Sequence, residues 1–175
     1  MFKEERTESK FEWRMLGDIQ AGRPNLGATM DVAVYRLMQF TLRDVLIQKY
    51  GVKEADEIYF KAGECAGKEF FKNLITEKTD FNKFVLELKD LLEKLKIGIM
   101  RIEKADLENM KFTIVVAEDL DCSGLPVSGE EICTYDEGFL SGLLSSFTGA
   151  EFEVKEVDCW CSGDRVCRFT AEKKG

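Results

Sequence analysis

The period of the apolar residues changes once along this chain, near residue 97, and that single change limits it to a fold in which helices come first and a small sheet follows. From Met30 to Gly51 the apolar positions Val34, Leu37, Met38, Phe40, Leu42, Val45 and Leu46 recur at helical spacing, with Asp31 placed to cap the start and Gly51 to stop it. Lys53 to Leu74 gives a second helix, with Ile58, Ala62, Cys65, Ala66 and Phe70 on one stripe and Gly63 and Gly67 on a neighbouring one. Glycines four apart remove side chains from one face, so another helix or a ligand can approach the backbone there. Asp80 to Leu95 gives a third helix, with Phe81, Phe84, Val85, Leu88, Leu91, Leu92 and Leu95 facing inward.

Beyond it, residues 98–106 and 110–119 are rich in Ile, Val and Phe and flank a polar turn at Leu107 to Asn109, which predicts an antiparallel pair. Gly124, Pro126 and Gly129 mark a loop, and Ile132 to Phe147 returns to helical spacing. Residues 150–158 and 166–172 read as two final strands around a turn holding Ser162, Gly163 and Asp164. The expected architecture is α+β: N-terminal helices packed on a small antiparallel sheet, with one helix inserted before the last two strands. Residues 1–27, charged and then glycine-bearing, are expected to be an arm and loop, and residues 28–175 a single domain.

The chain contains no histidine, so imidazole general bases, Ser-His or Cys-His nucleophilic pairs and His-ligated metals are excluded. Any metal must sit on cysteine or carboxylate. The formal charge of −8 opposes non-specific nucleic-acid binding. The N-terminal residues lack the apolar core of a secretory leader, and no apolar run is long enough to span a bilayer, so a cytoplasmic protein with no membrane partner is expected.

Five of the six cysteines lie between residues 122 and 167. Cys159, Cys161 and Cys167 surround the final hairpin turn, which folds one arm back on the other. Thiolates gathered this way suit a four-coordinate borderline metal, with zinc the default. Cys133 can supply a further ligand from the start of the last helix, where the positive end of the helix dipole favours the thiolate. Cys122 and Glu156 are further candidates. Redox chemistry and plain core packing are the competing readings, and convergence of so many thiols on one hairpin favours a metal. Cys65, alone on a helix face, reads as core.

The run from Ile132 to Phe169 resembles the signature of 4-vinyl reductase domains: a cysteine opening a helix with Gly138 and Gly142, then a strand with E-x-x-C, a G-D turn and a final C-x-F. Residues 23–27, 35–51 and 61–71 are also similar, so the resemblance covers most of the chain after Gly22, and it is close to a stand-alone archaeal-type member. That family is related in fold to small subunits of the TRAPP vesicle-tethering complexes. The resemblance implies a dimeric small-molecule-binding domain with a structural zinc held by Cys133, Glu156, Cys159 and Cys167. Regular strand alternation would instead put Cys159 and Cys161 on one side, which makes Cys161 the substitute ligand unless a bulge near Asp158 reverses the pattern. Arg165 and Arg168 are near enough in sequence to offset the negative charge of such a site.

The phenol-sensing relatives hold their ligand through a histidine that this chain lacks, which argues against phenol sensing by that route. A ligand pocket is expected between the first two helices and the last, with Tyr35, Phe60, Phe139 and Phe147 as candidate lining residues. Three functions are compatible with these features. A zinc-containing homodimeric module for a hydrophobic or aromatic small molecule ranks first. A reductase acting on a vinyl or tetrapyrrole substrate ranks second, although no catalytic residue stands out and no GxGxxG or Walker-type loop is present. A protein-interaction scaffold like the tethering subunits ranks third.

Overall fold

The computed structural model describes residues 3–175, so the first two residues of the expected arm lie outside the described part. The arm carries a 3-10 turn at Trp13–Leu16 and a single helical turn α1 at Ile19–Gly22. Three long helices follow: α2 (Val32–Tyr50), α3 (Val52–Leu74) and α4 (Phe81–Lys94). Their ends are built as the sequence predicts. The Asp31 carboxylate accepts the Ala33 amide at 2.7 Å, and the Asp80 carboxylate accepts the Lys83 amide at 3.2 Å. Gly51 turns the chain from α2 into α3 at φ 88°, a conformation that suits glycine.

The sheet contains β1 (Ile99–Asp106), β2 (Lys111–Ala117), β3 (Phe152–Asp158) and β4 (Cys167–Lys173), with α5 (Thr134–Thr148) between β2 and β3. All three pairings are antiparallel and the strand order is β1-β2-β4-β3. The two predicted hairpins are thus one sheet, because β4 enters between β2 and β3. Its pairing with β2 sets Cys167 opposite Val116, at the end of β2 from which the loop bearing Cys122 departs.

The most extensive helix pairing is that of α3 with α5. It is glycine against backbone in both directions. A methyl group at Gly63 would lie 2.0 Å from the Tyr135 carbonyl oxygen, and one at Gly67 2.2 Å from that of Phe139. From the other side, Gly138 and Gly142 would place a methyl 2.0 Å from the Phe60 oxygen and 2.3 Å from the Glu64 oxygen. The contact is therefore closed to any side chain.

Below this pair, Phe84 and Phe147 stack with centroids 4.6 Å apart, and Phe81, Phe112 and Phe152 continue the aromatic layer onto the sheet. Helix α2 behaves differently. Gln39 is its one buried residue, and Val34, Leu37, Met38, Leu42 and Val45 are each more than half exposed. The wide apolar face read from the sequence is real, but only its edge meets α3.

Gly67→Ala should destabilise the fold by about 3 kcal/mol, because the opposing atoms are main chain and cannot rotate aside. Gly22→Ala, where nothing lies within 4 Å, should leave the thermal midpoint unchanged. Equal midpoints for the two variants would show that α3 and α5 are not in main-chain contact.

Candidate metal centre and adjoining cavity

Four cysteines from four separate places meet under the end of the sheet: Cys122 in the loop after β2, Cys133 at the N-cap of α5, Cys159 just past β3, and Cys167 opening β4. Their relative exposures are 0, 1, 0 and 0%. All four sulfurs lie within 4.8 Å of one another. Cys133 is 3.9 Å from Cys159 and 3.8 Å from Cys167. A tetrahedron with metal–sulfur bonds of about 2.3 Å has an edge of about 3.8 Å, so these separations fit a thiolate-ligated ion. The Cys122–Cys167 pair at 2.9 Å is closer than that edge, yet well beyond a disulfide bond of about 2.05 Å. The buried cluster could hold a metal ion.

Each thiol is positioned by its own backbone. The Asp119 carboxylate accepts the amides of Asp121 and Cys122 at 2.8 and 3.1 Å and so shapes the Cys122 loop. The Arg36 guanidinium on α2 anchors that loop by donating to the carbonyls of Leu120, Asp119 and Ser123 at 2.7, 3.3 and 2.9 Å. The amide of Cys159 donates to Ser162 Oγ at 2.9 Å, and its carbonyl accepts the amides of Ser162 and Asp164 at 3.2 and 3.1 Å. That turn is a small knuckle, with Gly163 at φ 109°. Within the quartet the neighbouring thiols hydrogen-bond to Cys159 and hold it well below the usual thiol range.

Glu156 takes a different place from the ligand position that the family pattern implies. Its Oε2 accepts the Cys133 amide at 3.0 Å, while Cys122 occupies the fourth corner of the thiol cluster. The register of β3 against β4 shifts between Glu156 and Asp158, which is the bulge that reverses simple alternation and turns both Glu156 and Cys159 inward. Burial pushes the Glu156 carboxyl up to about 8 against the pull of the Cys133 amide, and its Oε1 has no hydrogen-bond partner. Cys161 is buried outside the quartet, and burial pushes its thiol up to about 12. Its carbonyl accepts the amides of Ser128 and Gly129 at 2.9 and 2.8 Å, tying the long loop to the knuckle. The arginines do not face the sulfurs. Arg168 pairs with Glu103 and Asp158, and Arg165 lies over the Trp160 ring at 5.0 Å.

Beside the quartet lies a cavity of about 300 Å³, walled by α2, α3, α5, the Leu120–Asp121 segment and the arm. Tyr35 and Phe139 line it, together with Phe70, Tyr135 and, from the arm, Phe11, Trp13 and Leu16. The arm is held over it by the Trp13 amide, which donates to Glu69 at 2.6 Å. Phe147 belongs instead to the aromatic core: eight residues beyond Phe139 it has turned about 80° around α5, toward Phe84. Phe60 lies where its carbonyl meets Gly138 and does not line the cavity.

At the cavity's inner end Asp121 accepts Tyr35 Oη at 2.9 Å and Gln39 Nε2 at 2.7 Å, and Tyr59 Oη donates to the Gln39 carbonyl at 2.6 Å. Burial raises the carboxyl of Asp121, and burial together with the Asp121 charge pushes Asp119 up to about 7. Asp136, one turn into α5, is raised by the same causes and keeps an Oδ2 with no donor. Periodicity does not single out these polar residues, because a carboxylate on a helix ordinarily marks its solvated side.

The family model of the 4-vinyl reductase domain matches residues 112–173. The uncharacterized protein MJ1642 of Methanocaldococcus jannaschii is 30% identical over 145 residues, covering 82% of this chain and 78% of that protein. Among solved structures, the phenol-responsive sensory domain of the transcription activator PoxR, determined with phenol, superposes with a TM-score of 0.65 at 14% identity, covering 84% of this chain and 76% of that one. A vinyl-4-reductase family protein from Methanocaldococcus jannaschii gives 0.63 at 18% identity, covering 96% and 100%. Subunit 3 of the trafficking protein particle complex from Naegleria fowleri, covalently bound to palmitic acid, gives 0.64 at 12% identity, covering 82% and 95%. At these identities the likenesses speak for the fold, in which helices precede a four-stranded antiparallel sheet. With the matched sheet and helix, and a relative aligned over most of both chains, the protein belongs to the 4-vinyl reductase domain family.

Proposed function

We propose that this chain is a zinc-stabilised binding domain for a hydrophobic small molecule, working as a homodimer in a reducing cytoplasm. Residues 28–175 form the ligand-binding domain and the arm of residues 1–27 covers its cavity. The observation that carries this reading is a closed quartet of buried thiols sharing a loop and a helix start with an apolar cavity. Four protein thiolates fill a tetrahedral site, leaving no position for water or substrate, so the ion is structural. When bound, zinc supplies cross-linking of four chain segments. The residues do the rest: Asp119 and Arg36 shape the Cys122 loop, and the Glu156 carboxylate orients Cys133 through its amide. The phenol in the PoxR sensory domain and the palmitic acid on the trafficking subunit support small-molecule binding by this fold. No helix is long and apolar enough to cross a membrane.

Elemental analysis should give one zinc per chain. Cys122→Ser and Cys167→Ser should each lose the metal and fall in stability by roughly several kcal/mol, because metal binding and folding are coupled. Glu156→Gln should retain stoichiometric zinc and weaken its affinity about 10- to 100-fold, as expected for an orienting group. Full zinc in Cys122→Ser together with loss in Glu156→Gln would return the carboxylate to the ligand set.

The homodimer rests on α2, whose exposed Val34, Leu37, Met38, Leu42 and Val45 repeat at helical spacing and form one continuous stripe. Sedimentation should find a dimer, and the double change Leu37→Asp with Met38→Asp should give a folded monomer. A monomeric wild-type chain would remove the interface from the proposal.

A further inference from the structure

We propose that the cavity beside the thiol quartet selects a protonated amine carried on an apolar or aromatic body, and turns away carboxylates. The proposal rests on the ligand-binding reading above and adds the charge class of the ligand.

The charge of the wall is one-sided. Among the described residues, the ionisable side chains lining the cavity, other than the tyrosines, are Glu69, Asp121 and Asp136, with no lysine or arginine. An anionic headgroup would therefore meet carboxylates with no cation or guanidinium to receive it, at short range and away from bulk water. The carboxylates differ in what they already hold. Both oxygens of Asp121 are taken, by Tyr35 Oη and Gln39 Nε2, and Glu69 accepts the Trp13 amide. Asp136 keeps a buried Oδ2 that accepts from nothing. A wholly apolar guest would seal that oxygen without a donor, which is costly, whereas an ammonium brings donors and the opposite charge together.

The remainder of the wall suits the same guest. Trp13, Tyr35, Phe70, Tyr135 and Phe139 present aromatic surface around the carboxylates, and ring faces attract a cation while covering an apolar body. A volume of about 300 Å³ is at the lower end of ligand-sized cavities, enough for a small arylalkylamine. A metal ion is the competing cationic guest, since Asp119, Cys133 and Asp136 also lie close enough to share one. Two features oppose it: Cys133 is committed to the quartet, and Asp119 Oδ1 already accepts two backbone amides.

Calorimetric titration of the full-length, zinc-loaded protein at neutral pH with phenethylamine, phenethyl alcohol and hydrocinnamate separates the possibilities, because the three share a body and differ in headgroup. Phenethylamine should bind about 10- to 100-fold more tightly than the alcohol, the range set by one charge-assisted hydrogen bond, and hydrocinnamate most weakly. Asp136→Asn should bring the amine down to the level of the alcohol. Should that variant fail to fold, Glu69→Gln should reduce the amine's advantage in the same direction. Ala66→Phe, which fills the cavity, should abolish binding of all the probes. Equal affinities, or tighter binding of hydrocinnamate, would overturn the charge class while leaving a ligand cavity in place. A second metal ion per chain that Asp136→Asn removes would overturn it in favour of a metal. If none of the three binds, the ligand-binding reading falls and this proposal with it.

Discussion

The main-chain contact between α3 and α5 is what the remainder of the structure depends on. Four glycines, Gly63 and Gly67 on one helix and Gly138 and Gly142 on the other, let each backbone sit where a methyl group would already collide with a carbonyl. Contacts this short favour weak Cα–H···O interactions and remove any freedom of rotation or slide. The consequence reaches both ends of α5. At its start Cys133 is held over the sheet, and within its first two turns Tyr135, Asp136 and Phe139 are fixed against α3 and the cavity. The tight fit thus sets the geometry of metal centre and cavity together, although none of the four glycines belongs to either.

The quartet solves a second problem, one the hydrogen-bond ladder leaves open. Strand β4 lies between β2 and β3, yet the segments between these strands, residues 118–133 and 159–166, are mostly loops and turns with few ladder bonds of their own. Each carries or adjoins one or more of the clustered thiols. A single ion bonded to all four sulfurs would close the long loop between Cys122 and Cys133 and the knuckle between Cys159 and Cys167 at once, and loop closure is where a cross-link contributes most. The carbonyl of Cys161 and the indole of Trp160, which donates to the Leu125 carbonyl at 3.0 Å, add polar ties between the same two loops.

Much of this can be read along the chain, because periodicity and capping are local. Asp31, Gly51 and Asp80 mark helix ends where the structure has them, and the glycine pairs announce a close approach without naming the partner. What escapes is non-local. Nothing in residues 166–172 says that they will pair with β2 as well as with β3, since strand order is decided by which edges the helices leave open. Cys122 is visible as a thiol, but its place depends on the Asp119 turn and on Arg36, far earlier in the chain. The apolar stripe of α2 is legible and its burial is not: one helix packed on another covers only the near edge of a wide face. Phe147 and Phe139 share a helix and a residue type, and only the turn between them separates core from cavity.

Metal centre and cavity share structure in a way that ties occupancy of one to order in the other. The segment from Asp119 to Cys122 presents a carboxylate to the cavity through Asp121 and a thiol to the quartet through the next residue, Cys122. The first turn of α5 does the same with Asp136 and Cys133. Both walls of the cavity's polar end are therefore backbone that the quartet fixes, and Tyr35 and Gln39 on α2 close it by hydrogen bonds to Asp121. A guest that pulls on Asp121 pulls on α2, whose outer face is the exposed apolar stripe. Ligand chemistry at the cavity thus has a short mechanical route, through two side chains of one helix, to the surface where a second copy would dock.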